Sequence, residues 1–352
     1  MKVLITGNKG YIGTVLSKAL LAQRVEVVGL DTGYYDGCNF LDDSCRIRQI
    51  AKDIRNVSKD DLRGINAVIH LAALSNDPMG ELNPRLTSEI NHLASVRLAS
   101  LTRDCGVRRF IFSSSCSVYG KSGAQMIDEN GRLSPSTEYA KSKVAAERDI
   151  AGLANGVFSP VFLRNATVYG ISPMLRVDLV VNNLSGWAHT TKEIRVMSDG
   201  SPWRPLIHIQ DLCRAFLSVL RAPREKVHNQ IFNVGQEGGN YRVRDIVETV
   251  KKVLPGCKIE YTGEHGPDTR TYRVDFSKFN AVFEGCFKSS WDIGKGVYEI
   301  LDNYKKSQFQ KSEFLGDKFT RLKRIEKLLR EGRVDKDLFW LTPGHIGLAG
   351  VH

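Results

Sequence analysis

Residues 2–13 read KVLITGNKGYIG: a short apolar run (KVLIT, 2–6), then a turn holding Gly7, Gly10 and Gly13, which leads into TVLSKALLA (14–22) with apolar residues at helical spacing. A strand that passes through glycines into a helix gathers the free N–H groups of the helix start around the turn, which suits an anionic pyrophosphate. The glycines permit the tight turn, the approach of backbone to ligand and the packing of helix on sheet, although the spacing is G-x-x-G-x-x-G rather than G-x-G-x-x-G. The next buried-strand run, VEVVGLD (25–31), ends in Asp31, 18 residues after Gly13. A carboxylate there accepts hydrogen bonds from adenosine ribose hydroxyls and repels a 2′-phosphate, which favours NAD over NADP.

Outward from this β-α-β start, the patterning predicts strands near 46–52, at NAVIHLAA (66–73) and at RRFIFSSS (108–115), with helices over 85–104 and 138–150. Alternation of this kind implies an α/β fold, a Rossmann-type doubly wound parallel sheet covered on both faces. After VFLRNATVYG (161–170) the pattern loosens, with helices predicted at 176–188, 210–221 and 242–254. The expected division is a nucleotide-binding domain over 1–170 to which later segments return, a smaller discontinuous substrate lobe over 171–305, and a basic helical extension over 306–352.

The bulk properties narrow the classes. At 352 residues, 42% hydrophobic and 25% charged, the chain matches an ordinary globular protein of about two domains rather than a disordered or fibrous one. No apolar run is long enough to span a bilayer, and the N-terminus has no leader pattern, so a cytoplasmic protein is expected. Seven scattered cysteines without metal-ligand spacing read as reduced thiols, and no metal site is expected. The net charge of +11 is spread along the chain, which suits a phosphate-rich small ligand, and no nucleic-acid partner is expected.

Tyr139 and Lys143, in EYAKSK, lie four apart on a helical pattern and so project from one face. A phenol with an ordinary pKa near 10 is a poor base at neutral pH, and a neighbouring ammonium plus an oxidised nicotinamide can stabilise its anion. Upstream, FIFSSSCSVYG ends a strand in hydroxyls, with Ser115 placed 24 residues before Tyr139.

Together TGNKGYIG, HLAA, SSSCSVYG and YAKSK, in this order and over about residues 1–305, resemble the extended short-chain dehydrogenase/reductases, in their nucleotide-sugar epimerase and dehydratase branch. The resemblance implies Ser115, Tyr139 and Lys143 as the catalytic triad, with Tyr139 the acid/base and Lys143 its pKa partner and a ribose ligand. It implies cofactor contacts from Gly7, Gly10, Tyr11, Ile12, Gly13 and Asp31, from Asp53 and Ile54 at the adenine, and from the backbone of Leu71, Ala72 and Ala73. LRNATVYG, VVNNL, DGSPWRPLIHIQDL and GPDTRTYRVDFSK resemble the sugar-nucleotide lobe, implying substrate contacts from Asn182, Arg204, Arg270 and Tyr272, with Ser115 and Thr167 at the sugar. Two guanidiniums suit a diphosphate because they offer bidentate donors that stay charged. His208 and Asp211, in the same stretch, read as structural.

Two departures bear on the reaction. Thr167 stands where many members of the family have Asn, and Cys116 and Ser117 stand where the 4,6-dehydratases have Asp and Glu. Without those carboxylates, elimination of water lacks its proton-transfer groups; Cys116 reads as a packed small residue. The resemblance therefore implies an NAD-dependent nucleotide-sugar epimerase acting at carbon 4 through a 4-ketosugar. A sugar-nucleotide 4-dehydrogenase or 4-ketoreductase on the same scaffold, or a non-catalytic NAD sensor, are the alternatives. A homodimer is expected through helices 85–104 and 138–150, with Leu98, Leu101, Val144 and Ala145 as the apolar surface. Beyond 308, Phe319, Leu322, Ile325, Leu328 and Leu329 form a stripe flanked by Lys318, Arg321, Lys323, Arg324, Lys327 and Arg330, which predicts an amphipathic helix packed on the body.

Overall fold

The computed structural model describes residues 1–42, 45–75, 77–263 and 270–341. Residues 266–269 of the GPDT stretch and 342–352 of the extension lie outside them. β1 (Lys2–Thr6) is central in a seven-stranded parallel sheet. β2 (Glu26–Asp31) and β3 (Arg48–Ala51) follow on one side of it. β4 (Ala67–His70), β5 (Arg109–Ser115), Ser159–Asn165 and Gln230–Val234 follow on the other. This is the doubly wound order expected from the alternating pattern.

The inner strands are apolar on both faces because helices cover both, while the edge strand β3 (RQIA) stays partly exposed. Val3 and Ile5 pack with Val15 and Leu16 of helix α1 (Tyr11–Ala22) and with Leu212 and Phe216 of the helix Ile209–Arg221. Leu4, on the opposite face, packs with Leu98 of Ala94–Asp104 and with Ala146 and Ile150 of Glu138–Ala151.

Three elements differ from the sequence expectation. The helix expected at 85–104 is interrupted by a π turn over Glu89–Leu93, between Pro84–Ser88 and Ala94–Asp104. The run 161–170 divides: Ser159–Asn165 completes the large sheet, whereas Thr167–Tyr169 pairs with Leu206–His208 in a separate three-stranded sheet. The helix expected from 176 starts at Val180, because Arg176 and Asp178 pair with each other (2.9 Å) in the preceding loop and the Asn182 amide holds the Arg176 carbonyl (2.9 Å).

A third apolar cluster, distinct from the two faces of the large sheet, gathers Val181 and Leu184, Ile246 and Val247, Val297 and Ile300, and the rings of Tyr304, Phe309 and Phe319. The extension packs on the body: Phe319, Ile325 and Leu328 are buried, and Leu322 and Leu329 are partly so. Leu98, expected to be open to a second subunit, is instead fully buried against the protein's own sheet; Leu101, Val144 and Ala145 keep partial exposure. Among the described residues no helix is long and apolar enough to cross a membrane.

Candidate active site

The carboxyl ends of β1, β2 and β4 open into one cleft, where a doubly wound sheet leaves space at its reversal of strand order. Gly7, Gly10, Tyr11, Ile12, Gly13, Asp31, Asp53, Ile54, Leu71, Ala72 and Ala73 all line it. Gly7 adopts φ +75°, and a Cβ there would stand 2.8 Å from the Ala72 nitrogen; at Gly13 it would stand 2.2 Å from the Gly7 carbonyl. Side chains at either position would break the turn or push the helix off it. Gly10 caps α1, whose first turn carries no acidic residue. The Asp31 carboxylate accepts from the N–H groups of Gly33 (2.8 Å) and Lys9 (3.1 Å), which fix it at the rim. Burial nevertheless pushes this carboxyl above its ordinary range.

Asp53 is anchored by Arg55, which donates from Nε (3.0 Å) and Nη2 (2.8 Å). Tyr11 lines the cleft but sends its hydroxyl the other way, to the Gly170 carbonyl at 2.8 Å. A glycine turn at a helix start, a fixed carboxylate beyond it and an apolar wall from Leu71 to Ala73 fit a dinucleotide, with diphosphate at the turn and adenosine ribose at Asp31.

Tyr139 and Lys143 lie beside this cleft rather than in its wall. Both sit on the helix Glu138–Ala151, capped by Thr137, whose hydroxyl accepts from Ala140 N at 3.2 Å. Ser115, at the end of β5, adjoins the Tyr139 phenol and favours its ionised form. Burial pushes the phenol up to about 12, and Asp77 adds to this while Arg176, Ser115 and Arg270 oppose it. Lys143 is buried, donates to the Ser113 carbonyl at 2.8 Å and lies 5.7 Å from the Tyr139 ring centre. Burial lowers its ammonium to about 8, against the pull of Glu147 one turn on. The phenol is thus held protonated while its companion charge is already weakened, so ionisation near neutral pH requires further positive charge beside the pair.

The substrate-side residues divide. Arg270 pairs with Asp77 at 2.5 Å; Arg204 donates to the carbonyls of Trp203 (3.0 Å) and Arg270 (2.5 Å). Tyr272 is buried near both guanidiniums, and burial raises its phenol. Thr167 opens the short strand Thr167–Tyr169, partly exposed. Asn182 is wholly buried, with its amide spent on the Gly170 N–H (3.1 Å), on the carbonyls of Gly170 (3.3 Å) and Arg176 (2.9 Å), and on the Tyr11 hydroxyl (3.4 Å). It braces the 170–176 loop against the glycine-turn helix instead of presenting its amide to a diphosphate.

His208 and Asp211 are structural, as expected. His208 stacks on Trp291 (3.8 Å) and meets Glu299 at 2.9 Å; Asp211 accepts from Ser289 Oγ (2.8 Å) and Trp291 N (3.2 Å). The Cys116 thiol is buried and donates to the Arg164 carbonyl at 3.1 Å, and burial raises its pKa. The Ser117 hydroxyl is buried without a hydrogen-bond partner among the described residues.

Sequence reasoning missed several residues of the site. Asp77, at the start of the helix Asp77–Leu82, and Arg176, in a loop, act on Tyr139 from segments that no motif marks. Asn91, in the π turn, bonds both backbone groups of Leu74 (2.8 and 3.1 Å) and Ser142 (3.3 Å), tying the cleft wall to the catalytic helix. Glu147 pairs with Arg164 at 2.7 Å and accepts from Ser114, which pins the same helix from below. Of these only Glu147, four residues after Lys143, left a trace in the spacing. Arg321, read as one of the cations flanking the apolar stripe of the extension, is 2% exposed and lines the cofactor cleft.

Fold and site together define an enzyme of the nucleotide-dependent short-chain type. Residues 3–235 match the model of the NAD dependent epimerase/dehydratase family, and the chain belongs to that family. It is 26% identical over 294 residues to a UDP-glucuronate 4-epimerase of Thermodesulfobacterium geofontis, covering 78% of this chain and 88% of that one. It is 31% identical over 252 residues to a UDP-glucose 4-epimerase of Mycolicibacterium smegmatis, covering 67% and 77%. The structure of MoeE5 in complex with UDP-glucuronic acid and NAD superposes with a TM-score of 0.76 at 27% identity, covering 87% of this chain and all of that one.

Proposed function

We propose that the protein is an NAD-dependent epimerase that inverts carbon 4 of a sugar carried on UDP. The observation that carries this reading is the Tyr139 phenol set against Ser115, with Lys143 one helix turn on, beside the glycine-turn cleft. The relatives named as UDP-glucose and UDP-glucuronate 4-epimerases support the nucleotide and the carbon.

Tyr139 takes the proton from the 4-hydroxyl while Ser115 holds the same oxygen. NAD, held at the glycine turn and Asp31, would supply a reversible hydride acceptor for carbon 4, so that the sugar passes through a 4-ketosugar. The positive fields of Arg176 and Arg270 favour the phenolate, and Lys143, one helix turn on, is its ammonium companion. Arg204 and Arg270, beside Tyr272, hold the diphosphate so that the sugar can turn about it, and Thr167 contacts the sugar. Tyr139 then returns its proton to the inverted oxygen. The division at about 170 and 305, a cytoplasmic homodimer and a role in carbohydrate biosynthesis belong to the same proposal.

The test is the mass of small molecules released when the purified protein is denatured, followed by incubation with UDP-glucose and UDP-glucuronic acid. Bound NAD and formation of the galacto isomer are expected. Protein that consumes added NAD in step with substrate would instead be a net dehydrogenase.

A further inference from the structure

The family match ends at residue 235, yet the cofactor cleft is finished by a segment about 85 residues further along the chain. The extension returns over the loop that follows β2. Arg324 donates from Nε to the Tyr34 carbonyl (3.1 Å) and from Nη2 to that of Asp36 (3.3 Å). The Tyr34 hydroxyl donates to the Leu338 carbonyl (2.5 Å), and Trp340 Nε1 to that of Thr32 (2.8 Å). Ile325, Leu328 and Leu338 share the apolar cluster of Leu30, Tyr34 and Ile54, so this attachment is part of the core.

Arg321 is the residue this attachment delivers. Its Nη2 donates to the Met174 carbonyl (2.9 Å), its guanidinium lies 4.2 Å over the Tyr35 ring, and its Nη1 is buried with no hydrogen-bond partner among the described residues. The other cations lining the cleft are each neutralised, Lys52 by Asp61 at 2.7 Å and Arg176 by Asp178 at 2.9 Å. Among the described residues no carboxylate stands within ion-pair distance of Arg321, and Asp178, already paired with Arg176, supports its charge only from further off. A guanidinium does not escape burial by losing its proton, and an uncompensated buried charge is retained at a cost unless something answers it. What shares the cleft with it is the helix-start glycine turn, whose free N–H groups already favour an anion.

We propose that Arg321 is a ligand of the diphosphate of bound NAD, so that the C-terminal extension is a clasp that holds the cofactor in place. The proposal rests on the cofactor reading of the cleft and not on which sugar is turned over. A charge-assisted, bidentate contact would complete the orphaned Nη1 and give an enzyme that recycles its own hydride a reason to carry the extra segment.

The test compares full-length, NAD-stripped wild type with Arg321→Met, titrating NAD, ADP and adenosine by calorimetry and melting the ligand-free proteins. Arg321→Met should weaken NAD and ADP about 10- to 100-fold, leave adenosine unchanged, and melt at the same or a higher temperature without ligand, since the uncompensated charge is gone. Should Arg321→Met fail to fold, Arg321→Gln, which keeps a donor for the Met174 carbonyl, is read in the same way. Unchanged NAD and ADP affinity overturns the proposal, as does a parallel loss of adenosine, which would mark a packing effect. Wild type that binds neither NAD nor ADP overturns the cofactor reading itself and the proposal with it.

Discussion

Asp77 and Arg270 form an ion pair, Oδ2 to Nη1 at 2.5 Å, that joins the segment after β4 to the strand Thr271–Val274, and both charges act on the Tyr139 phenol. Asp77 also accepts from the Thr137 hydroxyl (2.5 Å), the cap of the catalytic helix. A diphosphate that recruits Arg270 must compete with this carboxylate. Asp77→Asn should therefore bind UDP several-fold more tightly, and Arg270→Met roughly 10- to 100-fold more weakly, in equilibrium titrations. Tighter binding by Arg270→Met would remove that residue from the diphosphate site.

Tyr139→Phe removes the proton carrier and keeps the ring that packs in the site. Turnover should fall by roughly 10²–10⁴ while the protein still retains NAD. Steady-state rates and the nucleotide released on denaturation check the two halves separately, and wild-type turnover would overturn the acid/base assignment.

Lys143 makes stability depend on pH. Its folded pKa of about 8 lies below the unfolded value of 10.5, so between these the unfolded chain holds more protons and stability rises with pH. Below about 8 the folded protein carries the buried charge and the full penalty. Lys143→Met should lack this rise and, without ligand at pH 7, be more stable by on the order of 1–3 kcal/mol, less what the lost bond to Ser113 contributes. Denaturant unfolding at pH 7 and 9 reads the difference; parallel pH profiles for the two proteins would contradict the shift.

Asp31 stands where a 2′-phosphate would meet a fixed carboxylate. Asp31→Ala should weaken NAD retention and let NADP compete, measured by titrating both into stripped protein. Discrimination as strong as in wild type would place the selection elsewhere.

Oxidation at carbon 4 acidifies the proton at carbon 5, so a 4-ketosugar is halfway to losing water across carbons 5 and 6. The side chains at the positions where dehydratases carry an acid and a base are a buried thiol, raised by burial and committed to the Arg164 carbonyl, and a buried hydroxyl. Incubation with the UDP-hexose should give the carbon 4 epimer and no 4-keto-6-deoxy product. In deuterium oxide the epimer should gain no deuterium at carbon 4, because the hydride never reaches solvent. A 4-keto-6-deoxy sugar in the product mixture would show that other groups supply the elimination.

The triad roles of Ser115, Tyr139 and Lys143 are read from the family resemblance, whereas the glycine turn, Asp31 at its strand end and the one-turn separation of Tyr139 and Lys143 are legible in short-range spacing. The doubly wound sheet is legible for the same reason, as a local alternation of periods. Asp77 with Arg270, the Asn91 amide with the Leu74 backbone, and Glu147 with Arg164 meet across 17 to 193 residues, and no spacing rule relates their partners. Asn182 shows the converse, a motif residue whose amide the surrounding loop consumes. Arg321 shows it most plainly. On its own helix it is one more cation beside an apolar stripe, and only the docking of that helix against Tyr34, Tyr35 and Met174 carries its guanidinium into the cleft. Periodicity states which face of a helix is buried, but the identity of the surface that buries it is a property of the folded chain.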